Sequence, residues 1–128
     1  DRLKLILVDD ITALHWAAWW GRTETVSGIL NGLTADQQLQ LLFTQDDDGQ
    51  TAFHYAALQG RTETAKTLLD NLTPEQQLRL LAVQNRRGNT ASQEAARKRR
   101  TLDTMKALEQ YQIEADHRVN YRKFAKFT

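Results

Sequence analysis

Thr51-Ala52-Phe53-His54-Tyr55-Ala56-Ala57-Leu58-Gln59-Gly60-Arg61 has an earlier counterpart in this chain. It is Thr12-Ala13-Leu14-His15-Trp16-Ala17-Ala18-Trp19-Trp20-Gly21-Arg22, displaced by 39 residues. A worn third copy, Thr90-Ala91-Ser92-Gln93-Glu94-Ala95-Ala96, begins another 39 residues on. A fixed period in this range marks stacked units, each too small to bury its apolar face alone.

Each unit reads as three helices. Thr12 is a good N-cap for a helix from Ala13 to about Trp20, and Gly21 supplies the left-handed exit. A second helix covers Thr23 to about Leu30, with Val26, Ile29 and Leu30 at helical spacing. Thr34-Ala35-Asp36-Gln37 is a capping box for a short third helix. Its second copy, Thr73-Pro74-Glu75-Gln76, puts Pro74 at the first helical position, where a missing N–H costs least. The third helix shows an apolar stripe of Leu39, Leu42 and Phe43, repeated as Leu78, Leu81 and Ala82. Asp46-Asp47-Asp48-Gly49 and Asn85-Arg86-Arg87-Gly88 have type I turn chemistry and deliver the chain to the next cap.

The string Thr-Ala-Leu-His-x-Ala-Ala-x-x-Gly-Arg, preceded by Asp-x-x-Gly-x-Thr, resembles the ankyrin repeat over roughly residues 7 to 110. The resemblance implies an all-α, ankyrin-repeat solenoid of about three stacked helical repeats, with a ragged or incomplete repeat at its start. Two departures are plain. The family repeat is about 33 residues long, and the capped third helix accounts for the difference. Ala13, Ala52 and Ala91 stand where the family usually has Pro.

On this reading 1–11 is a lead-in, the tail of a preceding repeat. Repeats follow at 12–50 and 51–89, a decayed capping repeat at 90–112, and a basic-aromatic tail at 113–128. Leu5 to Val8 reads either as the ragged lead-in or as a short strand. The absence of Met at position 1 makes an excised piece the expectation. In the third copy Ser92 replaces the core Leu14 or Phe53, Gln93 replaces the His, and Arg99 stands where Gly21 and Gly60 stood. Loss of apolar positions suits a unit with a neighbour on one side only. Its second helix is expected from Leu102 to about Tyr111.

Composition excludes several classes. The 128 residues are 41% hydrophobic and 26% charged, which reads as ordered. No apolar run approaches the roughly 20 residues a membrane helix needs. Cysteine is absent, so disulfide and thiol chemistry are excluded, and a cytoplasmic setting, or a host cytosol for a secreted effector, is expected. Net charge is +1 but polarised: residues 1–84 carry 6 Lys/Arg against 11 Asp/Glu, a net of −5, and residues 85–128 carry 11 against 5, a net of +6. Such asymmetry bears on partners and steering.

His15 and His54 are the obvious chemical suspects, but they occupy equivalent repeat positions, and the resemblance implies a structural His that locks the turn. Zinc would need further ligands that nothing in the spacing supplies. Asp46-Asp47-Asp48 lacks the later Glu of a calcium loop. No nucleophile or phosphate-loop motif occurs. No catalytic residue, metal or cofactor is expected.

Positions alike in every copy hold a stack together; positions that differ are released from that duty. Trp19-Trp20, Leu58-Gln59 and Arg97-Lys98 are equivalent and share no chemistry, as are Asp47, Asp48 and Gln50 against Arg86, Arg87 and Asn89. The resemblance places these on the concave face and fingertips that meet partners, with Trp16 and Tyr55 at the edge. Trp is the side chain most enriched among interface hot spots. Either a partner or structural cover from neighbouring chain explains three of them in one short helix.

The first functional reading is therefore a monomeric, non-catalytic scaffold for a protein partner. The second is the targeting segment of a larger enzyme or a host-directed bacterial effector. The third is contact with nucleic acid or an anionic surface through Arg86, Arg87 and Arg97-Lys98-Arg99-Arg100. Tyr121, Phe124 and Phe127 interleave with Arg122, Lys123 and Lys126 as a short amphipathic helix that docks on the last repeat, belongs to a following domain, or lies on a membrane surface.

Overall fold

The computed structural model describes residues 13–98 and 102–125, with the side chains of 124 and 125 excepted. The readings made for the lead-in, for the Thr12 cap, for Arg99 and Arg100, and for Phe124, Lys126 and Phe127 lie outside these residues or side chains. Among the described residues every regular element is helical. They are α1 (13–20), α2 (Thr23–Asn31), α3 (Ala35–Phe43), α4 (Ala52–Leu58), α5 (Thr62–Asp70), α6 (Pro74–Ala82), α7 (Ala91–Arg97) and α8 (Leu102–Ala125). This is the all-α solenoid the repeat implied.

Helices α1, α4 and α7 form one row, and α2, α5 and α8 a second behind it; α4 packs on α7, α2 on α5, and α5 on α8. The core lies between the rows. Leu14 and Phe53 are fully buried, as are Ala56 and Ala57, whose small side chains let helices approach. Ala18 and Ala57 are buried, whereas the equivalent Ala96 is exposed, because nothing stacks on the far side of α7 among the described residues.

The third helix is stapled in place by its own Thr-x-x-Gln-Gln string. Thr34 and Gln37 close a reciprocal capping box, and so do Thr73 and Gln76. The next residue has a separate task. Gln38 Nε2 donates to the Leu30 carbonyl at 2.6 Å, and Gln77 Nε2 donates to the Leu69 carbonyl at 3.0 Å. Each adds a side-chain donor to a last-turn carbonyl of the preceding helix that also accepts from the backbone of Leu33 or Leu72. Arg79 lies over the Phe43 ring at 5.4 Å, tying α6 to α3.

The apolar stripe of this helix needs correcting. Leu41 and Leu42 are buried, with Leu80 and Leu81 as their counterparts, while Leu39 and Leu78 are half-buried and Ala82 is exposed. Two adjacent leucines, rather than a strict helical stripe, anchor it. A short helix wedged into the corner between two others is buried over a wider arc than one lying flat on a sheet of neighbours.

The second correction concerns the end of the chain. A helix stopping near Tyr111 was expected; α8 instead runs unbroken to Ala125, packing on α5, α6 and α7. The cause is legible at the repeat offset. Asn71, Leu72 and Thr73, which end α5 and cap α6, become Gln110, Tyr111 and Gln112 in the third copy. With the capping Thr and the Pro at N1 gone, nothing stops the helix. One helix occupies the place of two. Tyr111 donates to Asp70 at 2.5 Å, and Arg122 pairs with Glu75 at 2.8 Å, so it is fastened to both α5 and α6.

Leu80→Ala is expected to lower stability by about 2–5 kcal/mol, and the half-buried Leu78→Ala by about 1 kcal/mol or less. Urea unfolding of the two variants side by side measures this. Equal losses would return the third helix to the stripe read from spacing.

Candidate functional site

The turns between units are built alike. Asp46 and Gly49 are joined by a backbone bond of 2.9 Å, as are Asn85 and Gly88, with the two glycines at φ +76° and +77°. Asp46 Oδ1 accepts from the backbone of Asp48 and Gln50, and Asn85 Oδ1 accepts from Arg87 and Asn89. Four residues thus become a rigid projecting tip. The tips touch: Arg86 N–H donates to the Asp48 carbonyl at 3.0 Å. A Cβ on Gly49 would come within 2.7 Å of Arg86 N, so only glycine admits the neighbouring tip, while Gly88 has open space beside it.

Each tip is tied back to the first helix of its own repeat by a histidine. His15 Nε2 donates to the Gln50 carbonyl at 3.0 Å, and His54 Nε2 to the Asn89 carbonyl at 3.2 Å. Because a carbonyl only accepts, Nε2 carries the proton. Nδ1 of His54 is then free to accept, and it lies 3.3 Å from Thr51 N and 2.9 Å from Thr51 Oγ1. His54 takes the place of Glu or Gln in a capping box and also reaches the turn ahead. Burial pushes its pKa below the ordinary 6.5, outweighing the opposing pull of the Asn89 carbonyl and the Glu94 carboxylate. In the third copy Gln93 keeps the cap, accepting from Thr90 N at 2.8 Å.

Each tip is also tied forward, to the helix it feeds, by a polar pair nine residues apart. Tyr55 donates its hydroxyl proton to the Asp46 carboxylate. One unit on, Asn85 Nδ2 donates to Glu94 Oε1 at 2.9 Å. Acid and donor have exchanged sides. Burial pushes Asp46 up, but the Tyr55 hydroxyl and the backbone N–H groups of Gln50 and Asp48 outweigh it and leave it below 3.8. Glu94 is buried, which likewise pushes it up; the amides of Asn89 and Asn85 and the Arg97 guanidinium bring it below 4.5. Burial and the Asp46 carboxylate push Tyr55 upward.

These ties separate the residues singled out from the sequence. Trp16 and Trp20, one helical turn apart, are 58% and 57% exposed. Asp47, Asp48, Arg86, Arg87, Arg97 and Lys98 are exposed as well, and Gln59 is half-buried. Others serve the stack. Leu58, expected at the surface, is buried. Gln50 accepts from Asn85 at 3.1 Å, and Asn89 donates to Glu94 at 3.0 Å. Trp19 is half-buried edge-on against Tyr55 at 5.6 Å, and Tyr55 also meets the His15 ring at 5.5 Å. Arg61 Nε donates to the Trp19 carbonyl at 3.2 Å, closing the end of α1.

Spacing alone gave no sign of Glu94, yet it is the most buried acid of the described chain. Its signal was the paired change of residues 46 and 85 with residues 55 and 94. Among the described residues no cluster of His, Asp or Glu is arranged to hold a metal, and no helix is long and apolar enough to cross a membrane.

A family model described as ankyrin repeats in three copies matches residues 33–120, and one for a single ankyrin repeat matches residues 9–40. The chain matches none of the curated proteins searched.

His54 is neutral in the fold and takes up a proton more readily once unfolded, so the unfolded chain binds more protons below about pH 6.5. Its contribution is complete above that value and declines as pH falls toward the lower folded value. Urea midpoints measured from pH 7 to 5 should fall in the wild type and fall less in His54→Gln, which keeps the cap but loses the tie to Asn89. At pH 7 the variant should be about 1–2 kcal/mol less stable. Parallel slopes would show that His54 does not titrate in this window.

Proposed function

Because the chain belongs to the ankyrin repeat family, we propose that it is a non-catalytic scaffold that presents the exposed side chains of α1 and α7, with the two turn tips, to a protein partner. Ankyrin repeats are generally protein–protein interaction modules, and typically non-catalytic ones. The observation that carries the reading is the exposure of Trp16 and Trp20 on α1. Two indoles a turn apart on a rigid helix offer a large apolar contact at little cost in ordering. Trp19, half-buried against Tyr55, is assigned to cover instead of contact.

The mechanism is rigid display. The histidine ties, the capping boxes and the acid–donor pairs fix the tips before a partner arrives, so binding orders few side chains. The acidic first tip and the basic second tip steer the encounter.

The experiment separates contact from cover. Trp16→Ala/Trp20→Ala should keep its melting temperature within about 2 °C. Proteins retained from lysate by the wild type should be lost by the variant. Trp19→Ala should lower the melting temperature instead, since truncating a packed Trp costs about 2 kcal/mol or more. A large fall in the double variant would make those tryptophans structural and remove the anchor.

A further inference from the structure

The exposed residues follow an order along the stack that is fixed by the ties between units. Helix α1 carries Trp16 and Trp20 and is bonded through His15 to the first tip. That tip carries Asp47 and Asp48 and is bonded through Tyr55 to α4. Helix α4 is bonded through His54 to the second tip, which carries Arg86 and Arg87. Apolar, acidic and basic groups thus succeed one another along the stack. The two tips are in backbone contact through Arg86 and Asp48, yet no ion pair closes between their four charged side chains. All four are exposed. Opposite charges this close that do not neutralise one another present two separate signs to a partner.

We propose that the surface reads an extended segment of a protein partner that carries, in the same order, an apolar side chain, a basic one and an acidic one. This rests on the partner-binding reading above and specifies its ligand. The spacing follows from the architecture. Neighbouring helices in a row pack about 8–10 Å apart, and an extended chain advances about 3.3 Å per residue. The three groups of the ligand are therefore about three residues apart. The acidic tip rejects a uniformly acidic segment and the basic tip a uniformly basic one, so charge order carries the specificity.

The fold supplies a conservative test, because each tip already shows which residues the other position tolerates. The variant Asp47→Arg/Asp48→Arg/Arg86→Asp/Arg87→Asp exchanges the tips. It keeps Asp46, Asn85 and both glycines, along with the net charge. Its melting temperature should match the wild type. A displayed library of random peptides is selected on the wild type and, separately, on the exchanged variant.

Wild-type peptides should carry the apolar–basic–acidic order and lose at least about tenfold in affinity on the exchanged variant. Peptides selected on the variant should carry the charges reversed. All should weaken on Trp16→Ala/Trp20→Ala, and the charge preference should shrink at high salt. Peptides that bind wild type and exchanged variant within about twofold, yet need the tryptophans, overturn the charge order and leave the scaffold reading standing. Failure of either protein to enrich any peptide overturns both.

Discussion

The bond from a buried imidazole to the carbonyl of the next turn is what makes these helices a stack. His54 closes the first turn of α4 with Nδ1 and holds Asn89 with Nε2. Without the first, α4 would begin with unpaired donors; without the second, the tip ahead would lose its bond to the body of α4. A helix of seven residues is too short to persist by propensity. Buried alanines hold it to its neighbours, and its cap and its tie forward both depend on one ring in one tautomer. His15 repeats the bond one unit earlier.

Around that bond the chain varies the chemistry while keeping the geometry. Asp46 with Tyr55 and Asn85 with Glu94 make the same connection with acid and donor exchanged. Either pairing satisfies both partners; mixing them would set Asp46 against Glu94 or leave Asn85 facing a phenol. The choice has a consequence at the surface. A carboxylate at the base of the first tip extends the acidity of Asp47 and Asp48. The amide at the base of the second leaves Arg86 and Arg87 unopposed within their own turn. Each tip is uniform in character, although the chain as a whole is close to neutral.

Much of this was legible because the sequence contains its own comparison. The 39-residue offset separated Thr51, His54, Ala56 and Gly60 as architecture from Trp20, Asp47 and Arg86 as freed positions. The offset misled where a residue differs for a packing reason: Leu58 differs from Trp19 and Arg97, yet it is buried. Leu41 and Leu80 were missed because periodicity assumes a helix with one neighbour, and α3 and α6 sit in a corner. The length of α8 was missed because a missing stop signal is harder to see than one that is present: the loss of Thr73 and Pro74 equivalents is the whole cause. The swap at residues 55 and 94 could have been found by comparing pairs of positions instead of single ones.

That uninterrupted helix changes how the molecule comes apart. In a linear array whose units touch only their neighbours, the terminal unit ordinarily opens first and alone, since it has half the contacts. Here twenty-four residues, about 36 Å of helix, bridge α5, α6 and α7 and are pinned at Asp70 and at Glu75. Detaching α8 uncovers the outer and third helices of the middle unit together. Helix α8 is therefore a clasp on two units at once, and the units it bridges come apart as one cooperative block.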